Sequence, residues 1–127
     1  MKNVMFLRQV LVADAIASAA TGLLMLFAAA PLEQWLALPA SLLRAAGASL
    51  LPFAAIVGWL ALRETISRTG VWMVIGLNAL WVVDSVALLF TGWVQPAVLG
   101  YAFVLAQAAA VAVLAELEYV GLRRATA

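Results

Sequence analysis

The chain has 127 residues, 68% of them hydrophobic and 10% charged, with a formal net charge of +1. A soluble domain carries roughly 45–50% apolar and about 25% charged residues, and a small domain leaves much of its surface outside, so water is not the solvent for most of this chain. Cysteine and histidine are both absent, which excludes disulfides, thiolate or imidazole metal sites, histidine-ligated haem and Ser–His or Cys–His catalytic pairs. The near-neutral balance offers no polybasic surface to nucleic acid.

Four apolar runs, at about residues 10–30, 41–62, 71–91 and 97–116, predict transmembrane helices. Each is close to the ~20 residues that a helix rising about 1.5 Å per residue needs to cross a ~30 Å hydrocarbon layer. None alternates at period two, which excludes a lipid-facing β-barrel. The first run is interrupted by Asp14, Ser18 and Thr21. Lys2 and Arg8 precede it, and Ala28-Ala29-Ala30 has the small residues of a signal-peptide cleavage site. Pro31 follows at once and Asp14 breaks the apolar core, so the run is read as a retained span.

A connection bracketed by Pro31 and Pro39 leads to the second run, which has Arg44 in its first turn. Pro52 at its middle is expected to bend the helix and free the carbonyl near Ala48. Arg63 to Gly70 connects to the third run, which contains Asn78, Asp84 and Ser85; Gly92 to Pro96 connects to the fourth, where Gln107 is the strongly polar residue. Connections this short make sequential helices antiparallel neighbours. The expected fold is all-α: a single transmembrane domain over residues 1–127, built as a membrane-embedded antiparallel four-helix bundle.

Charge fixes an expected orientation. Lys2, Arg8, Arg63, Arg68, Arg123 and Arg124 fall on one side of these spans and Arg44 alone on the other. The positive-inside rule therefore places both termini in the cytoplasm of a multi-pass inner-membrane protein. Aromatic residues fall into two interfacial belts, Trp35, Trp93 and Tyr101 outside and Phe6, Trp59, Trp72 and Tyr119 inside, with Trp81 left near mid-depth.

An aspartate at the centre of a membrane helix costs about 2.5–3.5 kcal/mol on insertion scales, so polar residues within the spans are expected to face one another. Asp14, Ser18, Thr21 and Gly22 share one helical stripe, as do Asn78, Trp81, Asp84 and Ser85 on the third span and Gly100, Gln107 and Glu118 on the fourth. The candidate polar seam is therefore Asp14, Ser18, Thr21, Asn78, Asp84, Ser85 and Gln107, with Asp14 and Asp84 turned to the interior or to an oligomer interface. Arg44 is read as snorkelling outward, pairing with Glu33, or contacting an anion or lipid headgroup. Glu116 and Glu118, beside Arg123 and Arg124, read as an exposed helix end of mixed charge.

The repeat of Asp14-x6-Thr21-Gly22 as Asp84-x6-Thr91-Gly92, 70 residues on, raises a duplicated hairpin, although coincidence accounts for it in a chain of so few residue types. Ser18-xxx-Gly22, Ala54-xxx-Gly58 and the alanines of the last span are small-residue faces that let helices approach closely.

No acid–base, nucleophile or metal signature frames Asp14 or Asp84, so no enzyme is predicted: no catalytic residue, no cofactor and no metal site. The leading expectation is an accessory subunit or self-associating scaffold, with the bilayer and a homo-oligomer or larger membrane complex as partners. The alternative is a proton- or cation-coupled small transporter or channel using Asp14 and Asp84. The stretches Asp14 to Met25, Leu38 to Arg44, Leu51 to Phe53, Asn78 to Ser85 and Glu116 to Arg124 resemble a group of small four-helix integral membrane proteins of bacteria. That resemblance spans nearly the whole chain and implies the same architecture and a bacterial inner membrane. No activity is assigned to the group, so it implies no site residues.

Overall fold

The computed structural model describes residues 4–92 and 94–126; Lys2 and Trp93, used above for the charge bias and the outer aromatic belt, lie outside the described residues. Among the described residues there are five helices and no strand: α1 Val4–Phe27, α2 Ala29–Leu36, α3 Ala40–Leu62, α4 Arg68–Phe90 and α5 Val98–Thr126. α1, α3, α4 and α5 are each long and apolar enough to cross a membrane.

The first apolar run divides at Ala28, whose backbone (φ −108°, ψ 23°) leaves the helical region before α2 begins. Pro31 is the third residue of α2, where its missing N–H is no loss because first-turn N–H groups have no intrahelical acceptor. The segment between the two prolines, expected as a connection, thus carries a helix of its own. It ends at Ala37, which takes the left-handed conformation (φ 55°) and donates its N–H to the Glu33 carbonyl. The Glu33 carboxylate accepts the Ala40 N–H at 2.6 Å, a negative cap for the start of α3 that Pro39 at the N-cap cannot supply. At the start of α4, Ser67 caps by accepting the Gly70 N–H at 3.0 Å.

The far end of α3 is held from another helix. Arg8 of α1 donates to the carbonyls of Ala61 (2.6 Å) and Arg63 (2.8 Å) and reaches Glu64 at 3.4 Å. Ala61 is in the last turn of α3 and Arg63 is its C-cap, so their carbonyls have no N–H partner within the helix. Residues that the sequence read only as topological charge therefore carry structure as well.

Close helix packing occurs where the small residues lie. Gly22 of α1 crosses Gly47 of α3 so tightly that a Cβ on Gly47 would stand 2.6 Å from the Gly22 carbonyl oxygen, and Gly58 of α3 lies beside Ala15 of α1. Gly121 of α5 admits Leu7 of α1, with a Cβ there meeting the Leu7 Cα at 3.1 Å. α5 packs in turn on α4, with Trp72 and Tyr119 edge to face at 5.8 Å between centroids. α3 and α4, although adjacent in sequence, meet beside their connection, where Gly70 backs onto Leu60, and touch little elsewhere. α3 continues through Pro52, which is exposed.

Two apolar clusters result. One gathers Leu7, Leu11, Val57, Ile66, Val71 and Leu122 around the end of the molecule that carries Arg8 and Arg63. The other gathers Met25, Leu32, Leu36, Leu43, Val94 and Val104 at the opposite end, around α2. Along the helices, Asp14, Ser18 and Thr21 of α1, Asn78 and Asp84 of α4 and Gln107 and Glu118 of α5 fall between them.

Candidate functional site

Helical spacing brings three polar side chains together from three helices. On α1 the buried face runs Leu7, Leu11, Asp14, Ser18, Gly22 and Met25. On α4 it is Val71, Val74 and Asn78. On α5 Glu118, Gly121, Leu122 and Ala125 are buried at i, i+3, i+4 and i+7. Leu7, Leu11, Val71, Val74, Leu122 and Ala125 of these faces pack into the first cluster, and Asp14, Asn78 and Glu118 are carried inside with them.

Their geometry is specific. The Asn78 amide donates one hydrogen to Asp14 Oδ2 at 2.8 Å and the other to Glu118 Oε1 at 2.9 Å. Ser18 Oγ donates to Asp14 Oδ1 at 3.1 Å, one turn along α1. Asp14 is 1% exposed, Asn78 4% and Glu118 0%. The two carboxyl groups are thus held against the same amide. Both Asp14 oxygens therefore accept a hydrogen bond, whereas Glu118 Oε2 is buried with no partner among the described residues.

Burying an ion costs several kcal/mol even after relaxation, and an unmet buried polar atom about 1–3 kcal/mol. Two full charges around one amide are thus poorly compensated, and a proton on either carboxyl would remove one of them. A metal ion suits the site less well, because the group facing both carboxyls is an N–H donor with a positive end.

A second polar contact lies further along the helices. Trp81 of α4 donates its indole N–H to Gln107 Oε1 at 2.6 Å, and the Gln107 amide donates to the Val104 carbonyl at 3.0 Å. This gives the half-buried Trp81 indole its hydrogen-bond partner.

Because α3 and α4 diverge, a crevice opens between them. It has two lobes of about 270 and 330 Å³, both bordered by Trp81 and Asp84. Ser18 and Asn78 form part of the wall of the larger lobe, so the crevice reaches residues that hydrogen-bond to the carboxyl pair. A small recess of about 70 Å³ continues past Trp81 to Ser18, Thr21 and Gln107.

The seven seam residues expected from sequence thus divide. Asp14, Ser18 and Asn78 meet in the buried network; Gln107 joins Trp81; Thr21 and Ser85 are half-buried and line the small recess and the smaller lobe. Asp84 is exposed on this chain and sits in the crevice wall, apart from the carboxyl pair. Arg44 is exposed, and the Glu33 carboxylate is taken by the Ala40 N–H. Glu118, which the sequence places on one stripe with Gly100 and Gln107 but also in a charged helix end, is left out of the expected seam and completes the network. Its neighbours Arg123 and Arg124 suggested an exposed end, but the spacing of Glu118, Gly121, Leu122 and Ala125 was the available signal of a buried face. No family model, curated protein or solved structure matches the chain.

Proposed function

We propose that the chain is a small inner-membrane transporter that binds and couples a proton at Asp14, Asn78 and Glu118. In this reading α1, α3, α4 and α5 form an antiparallel four-helix bundle in the bilayer, with both termini in the cytoplasm. Four helices of spanning length and apolarity support the membrane setting, as do the large apolar side chains left outside, such as Ile16, Phe27, Met73 and Phe90. The pairings of Ala15 with Gly58 and Gly22 with Gly47, and of Trp72 with Tyr119 and Trp81 with Gln107, support the antiparallel arrangement. The charge bias of the sequence supports the orientation.

One observation carries the functional part: two fully buried carboxyl groups on different helices share one amide, with a carboxyl oxygen left unpaired. A structural element gains nothing from such an arrangement that apolar residues of similar size would not provide. A proton site needs it, because ionisable residues within membrane helices are costly and mark ion and proton paths. The crevice that reaches Ser18 and Asn78 supplies a route of access.

Proteoliposomes with an internal pH indicator test this reading. Under an imposed gradient the wild type conducts or exchanges protons, and Glu118→Gln abolishes that flux while remaining folded. Wild-type flux unchanged in Glu118→Gln would count against it. The second reading, a subunit or scaffold, is favoured by one observation: α4 leaves most of its surface uncovered, with Asp84 on it. Copurification of a stoichiometric membrane partner, with no flux in either protein, would support that alternative.

A further inference from the structure

We propose that the crevice between α3 and α4 binds an amphiphilic organic cation bearing a single positive charge, with Asp84 as its counter-ion and Trp81 as its aromatic wall. The ligand class follows from the lining. Asp84 borders both lobes and is the charged residue of either wall among the described residues; no cationic side chain lines them. A carboxylate in surroundings made chiefly of Leu42, Leu43, Phe53, Leu77 and similar side chains has no cationic partner there among the described residues, so the compatible guest brings a positive charge. The rest of the guest is apolar, because the remaining lining is chiefly aliphatic and aromatic. Lobes of about 270 and 330 Å³ are at the lower end of the range typical for small-molecule sites.

Trp81 completes the site. Its indole N–H is committed to Gln107, which fixes the ring at the junction of both lobes and the small recess. A ring so held lines both lobes, where an aromatic side chain attracts a cation. An acyl chain would cover the aliphatic lining equally well but would leave Asp84 uncompensated, which is why the occupant is a cation rather than a lipid tail. The crevice opens to the side of the molecule between two helices, so such a guest enters from the apolar phase in which it already partitions.

This inference rests on the proton-coupled reading only for what the cation is exchanged against; binding is independent of it. The test uses the full chain in nanodiscs at one pH, with no gradient, titrated with methyltriphenylphosphonium and with uncharged triphenylphosphine oxide. Tryptophan fluorescence and calorimetry report binding. The cation is expected to bind at least tenfold more tightly than the oxide, and Asp84→Asn to weaken it at least tenfold while Asp84→Glu stays within about threefold, a tenfold change being about 1.4 kcal/mol. Ala46→Phe and Ser49→Phe, which fill one lobe each with Asp84 intact, are expected to reduce binding as well. Wild-type failure to bind the cation, equal binding of cation and oxide, or undiminished binding by folded Asp84→Asn overturns the proposal. Glu118→Gln is expected to bind the cation like the wild type, so proton flux undiminished in Glu118→Gln, with cation binding intact, overturns the carboxyl-pair reading alone.

Discussion

At the residue scale, Asp14 and Glu118 are not equivalent, and their amide variants should differ. Glu118→Gln keeps the acceptor that faces Asn78 and puts an N–H where Oε2 is now unpaired. Thermal unfolding in detergent should find it as stable as the wild type, or up to about 2 kcal/mol more so. Asp14→Asn instead presents an amide N–H to a donor, since both Asp14 oxygens already accept, and should lose about 1–3 kcal/mol. Equal stability of the two variants would contradict the hydrogen-bond assignment. Arg8→Leu exposes the last carbonyls of α3 and should cost about 1.5–3 kcal/mol in the same assay. Asp14 and Asn78 were legible because a polar residue inside an apolar run is expensive and must be explained. Glu118 was legible only in part, because its stripe with Gly100 and Gln107 points inward while the charged stretch around it reads as exposure; the i, i+3, i+4, i+7 spacing of Glu118, Gly121, Leu122 and Ala125 decides for burial. The hold of Arg8 on α3 joins residues more than 50 positions apart, and no local pattern announces it.

At the element scale, the four long helices follow from run length and apolarity, which the sequence displays directly. α2 was hidden because proline is usually read as a breaker, whereas Pro31 falls in a first turn where it is tolerated. The parting of α3 from α4 was hidden for a different reason: a short connection fixes which helices follow each other, not which pack. Ala15 and Gly22 let α3 settle against α1, with Gly47 in direct backbone contact, and this draws α3 away from α4 and opens the crevice. Gly47→Ala should therefore force α1 and α3 apart and cost about 1–3 kcal/mol. Gly76→Ala, on α4 with nothing within 4 Å of the added carbon, should change stability by no more than about 1 kcal/mol. Unfolding curves that rank the two alike would remove the glycine crossing as the cause of the opening.

At the scale of the whole molecule, the polar layer lies between two apolar clusters and is reached from the side through the α3–α4 crevice. The sequence predicts which way this assembly sits in the membrane, and the natural absence of cysteine makes that testable with single substitutions. Thr65→Cys should react with impermeant thiol reagents from the cytoplasmic side only, and Gln95→Cys from the opposite side only. The reverse pattern would invert the orientation and place the carboxyl pair nearer the outer face. The central claim is that Asp14 and Glu118 together hold one proton, and infrared difference spectroscopy of the reconstituted protein reads it most directly. The wild type at neutral pH should show the C=O stretch of a protonated carboxyl, shifted in heavy water and lost in Glu118→Gln. A wild-type spectrum without that band, or the same band persisting in Glu118→Gln, would contradict the account.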